Sequence, residues 1–234
     1  MRDVLDLHTH TMFSGHAYST LTENVRAAAE RGLAVYGCSD HAQGMRGILS
    51  QWSFSNLGRI PRELFGVKVL MGAEFNIMDG DGTLDFNPSM FSHLDYGIAG
   101  FHIPCYQCGD REKNTETCIR VLQNPMVNIL AHPDDGRYPV DFERLALAAK
   151  ENHKLLEVNN SSLRPGGHRR DGRENCRAML ESCRRHQVSV IIGSDAHFWT
   201  EVGVHDDALA LLREMDFPEE LVVNFDAGRL SEFL

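Results

Sequence analysis

Short, continuous apolar runs recur along the chain, separated by stretches whose apolar residues repeat at helical spacing. Residues 4–7, 33–38, 67–77, 95–99, 127–131, 155–158 and 188–192 read as seven buried strands. Helical patterns fall around 115–122, 141–152, 175–186 and 207–215, and Thr20-Leu-Thr-Glu23 is a capping-box start for a helix running to Arg31-Gly32. Strands that are apolar throughout, rather than alternately, are covered on both faces, which is the situation of parallel strands under helices. No composition shift marks a linker, so the pattern predicts an α/β fold forming one domain over residues 1–234. A closed or nearly closed β/α barrel is the expected architecture, and an open doubly wound sheet is the alternative.

Composition narrows the class. An apolar content of 42% with 24% charged residues suits a chain with a buried core, and no apolar run is long enough to span a bilayer. No basic region followed by an apolar stretch opens the chain, so a cytoplasmic location is expected and the Asn-x-Ser sites at Asn159 and Asn160 carry no glycosylation message. In that setting the six cysteines read as reduced thiols, and the one C-x-x-C pair, Cys105 and Cys108, reads as structural. The net charge of −10, without a basic run, disfavours an extended nucleic-acid surface.

The histidines carry the chemistry. His8 and His10 are two apart in an extended segment and so present their imidazoles to the same side, and His16 follows in the next loop. Asp40 and His41 follow the second strand, Glu74 lies near the end of the third and His102 follows the fourth. His132 ends the fifth, and Asp195 and His197 follow the seventh. The C-terminal ends of barrel strands are where such folds place functional residues. Seven histidines and two acids from six strands thus gather at one rim. Imidazole and carboxylate suit zinc, iron or manganese, and a carboxylate can bridge two cations. Nine ligands exceed what one ion can use, and Glu74 is the natural bridge. His93, His153, His168, His186 and His205 lie outside these positions and are excluded.

The motifs DLHTHTMFSGH, SDHA, GAEFN, FH, AHP and GSDAH resemble those of the PHP (polymerase and histidinol phosphatase) family of metal-dependent hydrolases, most closely its YcdX-type phosphatases, across nearly the whole chain. The resemblance implies a distorted seven-stranded β/α barrel, similar to a TIM barrel, holding three divalent ions, with zinc the usual assignment and manganese or iron as alternatives. It implies that His8, His10, Glu74 and Asp195 hold one ion, that Glu74, His102 and His132 hold a second, and that His16, His41 and His197 hold the third. The implied activity is hydrolysis of a small phosphate monoester by water activated between ions, with a homo-oligomer as a further implication. Asp40 and Asp195 are the candidate proton donors to the leaving group; Asp40 could equally orient an imidazole. Arg164, after the sixth strand, is the candidate substrate clamp. A nuclease or phosphodiesterase activity, carbonyl hydrolysis and a non-catalytic metal-binding module are the competing readings.

Overall fold

The computed structural model describes residues 3–45, 52–85, 87 and 92–234. Within them, eight strands form one sheet: β1 (Leu5–Asp6), β2 (Val35–Cys38), β3 (Glu63–Leu64), β4 (Val67–Asn76), β5 (Tyr96–Gly100), β6 (Ile129–Leu130), β7 (Leu155–Asn159) and β8 (Val190–Gly193). The spatial order is β1-β2-β4-β5-β6-β7-β8, with every neighbouring pair parallel. Each of the seven apolar runs therefore supplies one strand of a parallel, nearly closed barrel. The additional strand, β3, pairs antiparallel with β4 through a tight turn in which Phe65 and Gly66 take φ of 53° and 76°. A two-residue strand is too short to leave a periodic signal, so the hydrophobic pattern does not reveal it.

The helices form where caps and amphipathic faces coincide. α1 (Leu21–Glu30) begins at Thr20, and both hydrogen bonds of the capping box with Glu23 are present. After the short α2 (Trp52–Ser55), α3 (Arg111–Leu122) starts ahead of its apolar pattern because Asp110 caps it, accepting from the Lys113 amide. α4 (Phe142–Glu151) is capped by Asp141, and the one-turn α5 (Asn160–Leu163) follows β7. α6 (Gly172–His186) and α7 (Asp206–Glu214) complete the outer layer. No helix among the described residues is long and apolar enough to cross a membrane.

Two hydrophobic clusters result from the strand alternation. Leu5, Leu7, Leu70, Tyr96, Ile98, Ile129 and Ile191 fill the barrel interior, while Val69, Met71, Val190 and Ile192 point outward to pack under Val25, Leu122, Leu145 and Leu180 of the helices. Cys38, Cys118, Cys176 and Cys183 are buried in this outer layer, and all six cysteines are free.

The seam between β8 and β1 lacks a continuous ladder. At its upper end Thr9 bridges Ala196, with the Asp195 amide 2.8 Å from the His8 carbonyl and the His10 amide 2.8 Å from that of Ala196. At its lower end the Asn224 side chain substitutes for backbone. Its Nδ2 donates to the Leu5 and Ile192 carbonyls, each at 3.0 Å, and its Oδ1 accepts from the Ile192 amide at 2.7 Å.

Ile129 is 1% exposed inside the barrel, whereas Leu147 on α4 is 40% exposed. Ile129→Ala is expected to lose about 2–5 kcal/mol of unfolding free energy through the cavity it leaves. Leu147→Ala should change it by less than about 0.5 kcal/mol. Urea unfolding followed by circular dichroism measures both; equal effects would contradict the assignment of Ile129 to the barrel core.

Candidate metal centre

Because the strands are parallel and in register, their C-terminal ends lie at one level, and the chain leaving each end delivers its side chains to a common point. The extended segment after β1 sends His8 and His10 inward, with Nε2 atoms 3.3 and 3.4 Å from Glu74 Oε2 and 3.5 and 3.4 Å from Asp195 Oδ1. Glu74 lies on β4, whose ten-residue length carries it across the barrel mouth. Its Oε1 faces His102 Nε2 at 3.2 Å and His132 Nε2 at 3.0 Å, and its Oε2 also faces His41 Nδ1 at 3.0 Å. His16 and His197 meet farther out, their Nε2 atoms 2.9 Å apart. His41 lies between the two groups, its ring stacked on His10 and His16 with centroids 4.5 and 5.1 Å away. The structure thus brings together all nine residues that the sequence pattern singles out as ligands. His132 and Asp195 take left-handed backbone conformations, φ 31° and 56°, which non-glycine residues rarely adopt. Such strain persists only where the surroundings over-determine it.

The protonation pattern suits a cation. Burial pushes His10 down to about 4, with the neighbouring His197 charge adding to the effect, and burial likewise lowers His41, His16 and His132. These rings are neutral near pH 7, the state in which imidazole binds metal. His8 is the exception: burial opposes its charging, but Glu157, Glu74 and Asp195 outweigh burial and raise its pKa well above 6.5. Glu74 and Asp195 remain ionised despite burial, Glu74 through His8, His41 and His102 and Asp195 through His8 and Arg169. His8 Nε2, His10 Nε2 and His41 Nδ1 are buried, lack hydrogen-bond partners and point at the same carboxylates. Buried polar atoms are ordinarily satisfied, and divalent cations placed among these nitrogens and carboxylates would satisfy them. The donor set fits such ions.

The candidate ligands are themselves held in place. Asp40 accepts hydrogen bonds from the Thr11 amide and hydroxyl, each at 2.7 Å, and from Ser14 Oγ at 2.6 Å. Ser14 Oγ in turn lies 3.1 Å from His10 Nδ1 and accepts from the His41 amide. Asp40 is therefore turned toward the loop that carries His10 and away from the cavity above the centre. Arg164 pairs with Glu201 at 2.5 Å and is not among the residues lining that cavity. The arginine that does reach the centre is Arg169, which donates to Asp195 Oδ2 at 2.8 Å and to Asn159 Oδ1 at 3.0 Å. Sequence reasoning excludes His168, assigns Asn159 and Arg169 no part in the centre and does not single out Glu157. Glu157 is buried on β7 with Oε1 2.6 Å from His8 Nδ1, and only its place as the one charged residue within an apolar strand marks it beforehand.

Below the centre, Asp6 accepts from Ser194 Oγ and from the Gly203 amide, fixing the loop that bears Asp195 and His197. His205, one of the histidines set aside above, sits between Asp3 and Asp6 and is 2% exposed. Above the centre opens a cavity of about 360 Å³. Its lining includes His41, Glu74, His102, His132, Asp195 and His197 of the centre together with Arg137, His168, Arg169, Phe101, Ile103 and Pro104.

Residues 6–164 match the PHP domain family. A probable phosphatase of Thermoanaerobacter sp. (strain X514) is 41% identical over 235 residues, covering all of this chain and 95% of the relative. A probable phosphatase of Clostridium acetobutylicum is 38% identical, again covering all of this chain and 95% of the relative. Among solved structures, the histidinol phosphate phosphatase of Lactococcus lactis, complexed with zinc, L-histidinol and phosphate, superposes with a TM-score of 0.65 at 19% identity. That match covers 92% of this chain and 95% of that one.

The Asp3–His205–Asp6 cluster makes stability pH-dependent. Burial opposes charging of His205, but Asp6 and Asp3 outweigh it and push its pKa up to about 10. A raised folded-state pKa contributes stability that is complete below the unfolded value of 6.5, declines above it and is gone once pH exceeds about 10. His205→Gln is expected to lose about 3–5 kcal/mol at pH 7, as when one partner of a buried ion pair is removed. The gap from the wild-type chain should narrow at pH 10, and denaturant unfolding at the two pH values measures it. A gap that widens at pH 10 would contradict the charged-His205 assignment.

Proposed function

The chain belongs to the PHP domain family, and from that premise we propose that it is a metal-dependent phosphatase that removes phosphate from a small monoester at a three-ion centre. The observation that carries this reading is the convergence of nine ligand side chains around one shared carboxylate, with buried imidazole nitrogens left unpaired. His8, His10, Glu74 and Asp195 would hold one ion, Glu74, His102 and His132 a second, and His16, His41 and His197 a third. Short approaches within the first two sets and between His16 and His197 support this grouping, while His41 Nδ1 lies 3.0 Å from Glu74 Oε2, between the second set and the third. The phosphatase relatives and the zinc in the lactococcal neighbour support divalent ions, with zinc the first candidate and manganese or iron the alternatives. Bound there, such ions supply the positive charge that activates water near neutral pH and offsets charge on phosphoryl oxygens.

The remaining chemistry belongs to the chain's own residues. Three divalent ions would bring +6 against −2 from Glu74 and Asp195, so an anionic substrate is attracted locally although the chain as a whole carries −10. Arg137, His168 and Arg169 add cationic and hydrogen-bonding groups to the cavity lining, suited to a phosphate or to a second anionic group. Ile103 and Pro104, in the same lining, offer contact to the organic part of an ester. Asp195 is held ionised with Oδ2 occupied by Arg169, which suits a ligand and not a proton donor. Asp40 is engaged by four donors, the Thr11 amide and hydroxyl, Ser14 Oγ and Cys38 Sγ, and serves to orient His10 through Ser14. A cavity of about 360 Å³ accommodates a small molecule.

Purified chain loaded in turn with zinc, manganese and iron is expected to release phosphate from members of a panel of sugar, amino-alcohol and nucleoside monophosphates. His10→Ala should reduce the rate by more than the roughly 10–100-fold that loss of an outer-shell partner costs. Absence of phosphate release with every metal, or wild-type turnover by a folded His10→Ala that has lost metal, would contradict the proposal. Shortening of a labelled oligonucleotide would replace it with a nuclease reading.

A further inference from the structure

β7 contributes none of the nine ligands, yet its C-terminal half carries Glu157, a carboxylate 1% exposed and surrounded by apolar neighbours on its own strand. Burying an ionised carboxylate is expensive unless it is paired and hydrogen-bonded, so its partners indicate what it does. There are three. Oε1 lies 2.6 Å from His8 Nδ1, while Oε2 accepts from the His132 amide at 2.7 Å and from Asn159 Nδ2 at 3.1 Å.

Two of these partners are ligand residues assigned to different ions. The contact with His8 Nδ1 holds a proton on that nitrogen, so that Nε2, aimed between Glu74 and Asp195, is the nitrogen that would give up its proton to a cation. The contact with the His132 amide pins a residue whose φ of 31° is otherwise unfavourable, and so sets the direction of its ring toward Glu74 Oε1. Space for the pair is built into the neighbouring strand. A Cβ on Gly193 of β8 would stand 2.1 Å from Glu157 Oε1 and 2.8 Å from His8 Cβ, so only glycine fits opposite it. Asn159 extends the same network, bridging Glu157 Oε2 to Asp195 Oδ2, the latter at 3.2 Å.

We propose that Glu157 is the positioning residue of the centre, orienting His8 for the first ion and the His132 backbone for the second, so that the two sites form together. The inference rests on the three-ion reading above. A purely structural carboxylate would lower stability without favouring one ion over another; a positioning carboxylate acts selectively on the sites of His8 and His132 and spares that of His16, His41 and His197.

Glu157→Gln separates the two. Glutamine has the same shape but one acceptor oxygen, so it cannot accept from all three N–H groups. The metal-free variant and wild-type chain are titrated with zinc and with cobalt in competition with a chelator, while circular dichroism of the metal-free forms reports the fold. The expected result is a wild-type fold, affinity weakened about 10- to 100-fold at the sites of His8 and His132, an altered cobalt absorption spectrum and an unchanged remaining site. Wild-type affinity at every site overturns the proposal, and so does uniform weakening of all sites together with a changed fold. If the wild-type chain binds fewer than three ions, the three-ion reading fails, and Glu157 is still judged by whether the ion bound through His8 is weakened. If Glu157→Gln does not fold, Glu157→Asp, which keeps the charge but shortens the reach, is scored in the same way. A crystal structure of the zinc-loaded wild-type chain decides without any variant. His8 bound through Nε2 with Nδ1 on Glu157 supports the proposal; His8 bound through Nδ1, or Glu157 itself bound to zinc, overturns it.

Discussion

Glu74 is 1% exposed at the mouth of the barrel, with five imidazole nitrogens 3.0–3.4 Å from its two oxygens. An ionised carboxylate buried to this degree must be compensated locally, because removing it from water costs several kcal/mol even after relaxation. Among the imidazoles, His8 supplies most of that compensation, since burial keeps His10, His41 and His132 neutral. Cations shared between the carboxylate and the rings, as proposed above, would resolve the conflict from both sides. They would neutralise Glu74 further and occupy nitrogens that otherwise lack hydrogen-bond partners. The rest of the rim can be read as what is required to keep these groups converged.

The barrel and the centre depend on each other at the seam. β8 and β1 are joined at the upper end chiefly by the Asp195 amide on the His8 carbonyl and by the Thr9–Ala196 bridge, so ligand-bearing segments close the cylinder. Asn224 performs the same task at the lower end with side-chain atoms. Asp6 links the two, bonding Ser194 on one side and lying beside His205 on the other. Ordering the ligands therefore also completes the fold, and the strained conformations of His132 and Asp195 are held by this framework.

Much of this was legible in the sequence because it is periodic or local. Seven apolar runs mark seven parallel strands, and parallel register places residues just beyond each run at the same level, so His8, Glu74, His132 and Asp195 could be assigned to one rim before any geometry was known. Outer contacts were not legible because they join residues far apart in the chain with no shared pattern. Glu157 lies 149 positions from His8, and Arg169 reaches Asp195 across 26. The same difficulty affects Arg164. It occupies the expected loop, but Glu201 engages it, and the arginine five positions later takes the place beside the centre. Asp40 sits next to a ligand in sequence while its oxygens face Thr11 and Ser14, a direction that adjacency alone does not reveal.

The central claim is that Glu74 is a bridge between ions and not simply one ligand among nine. Elemental analysis of the purified wild-type chain and of Glu74→Gln, each reconstituted with excess zinc and desalted, tests it directly. The account predicts three ions per wild-type chain and the joint loss of the two that share Glu74 in the variant, leaving one. Retention of three ions by a folded Glu74→Gln, or a single ion in the wild-type chain, would contradict it.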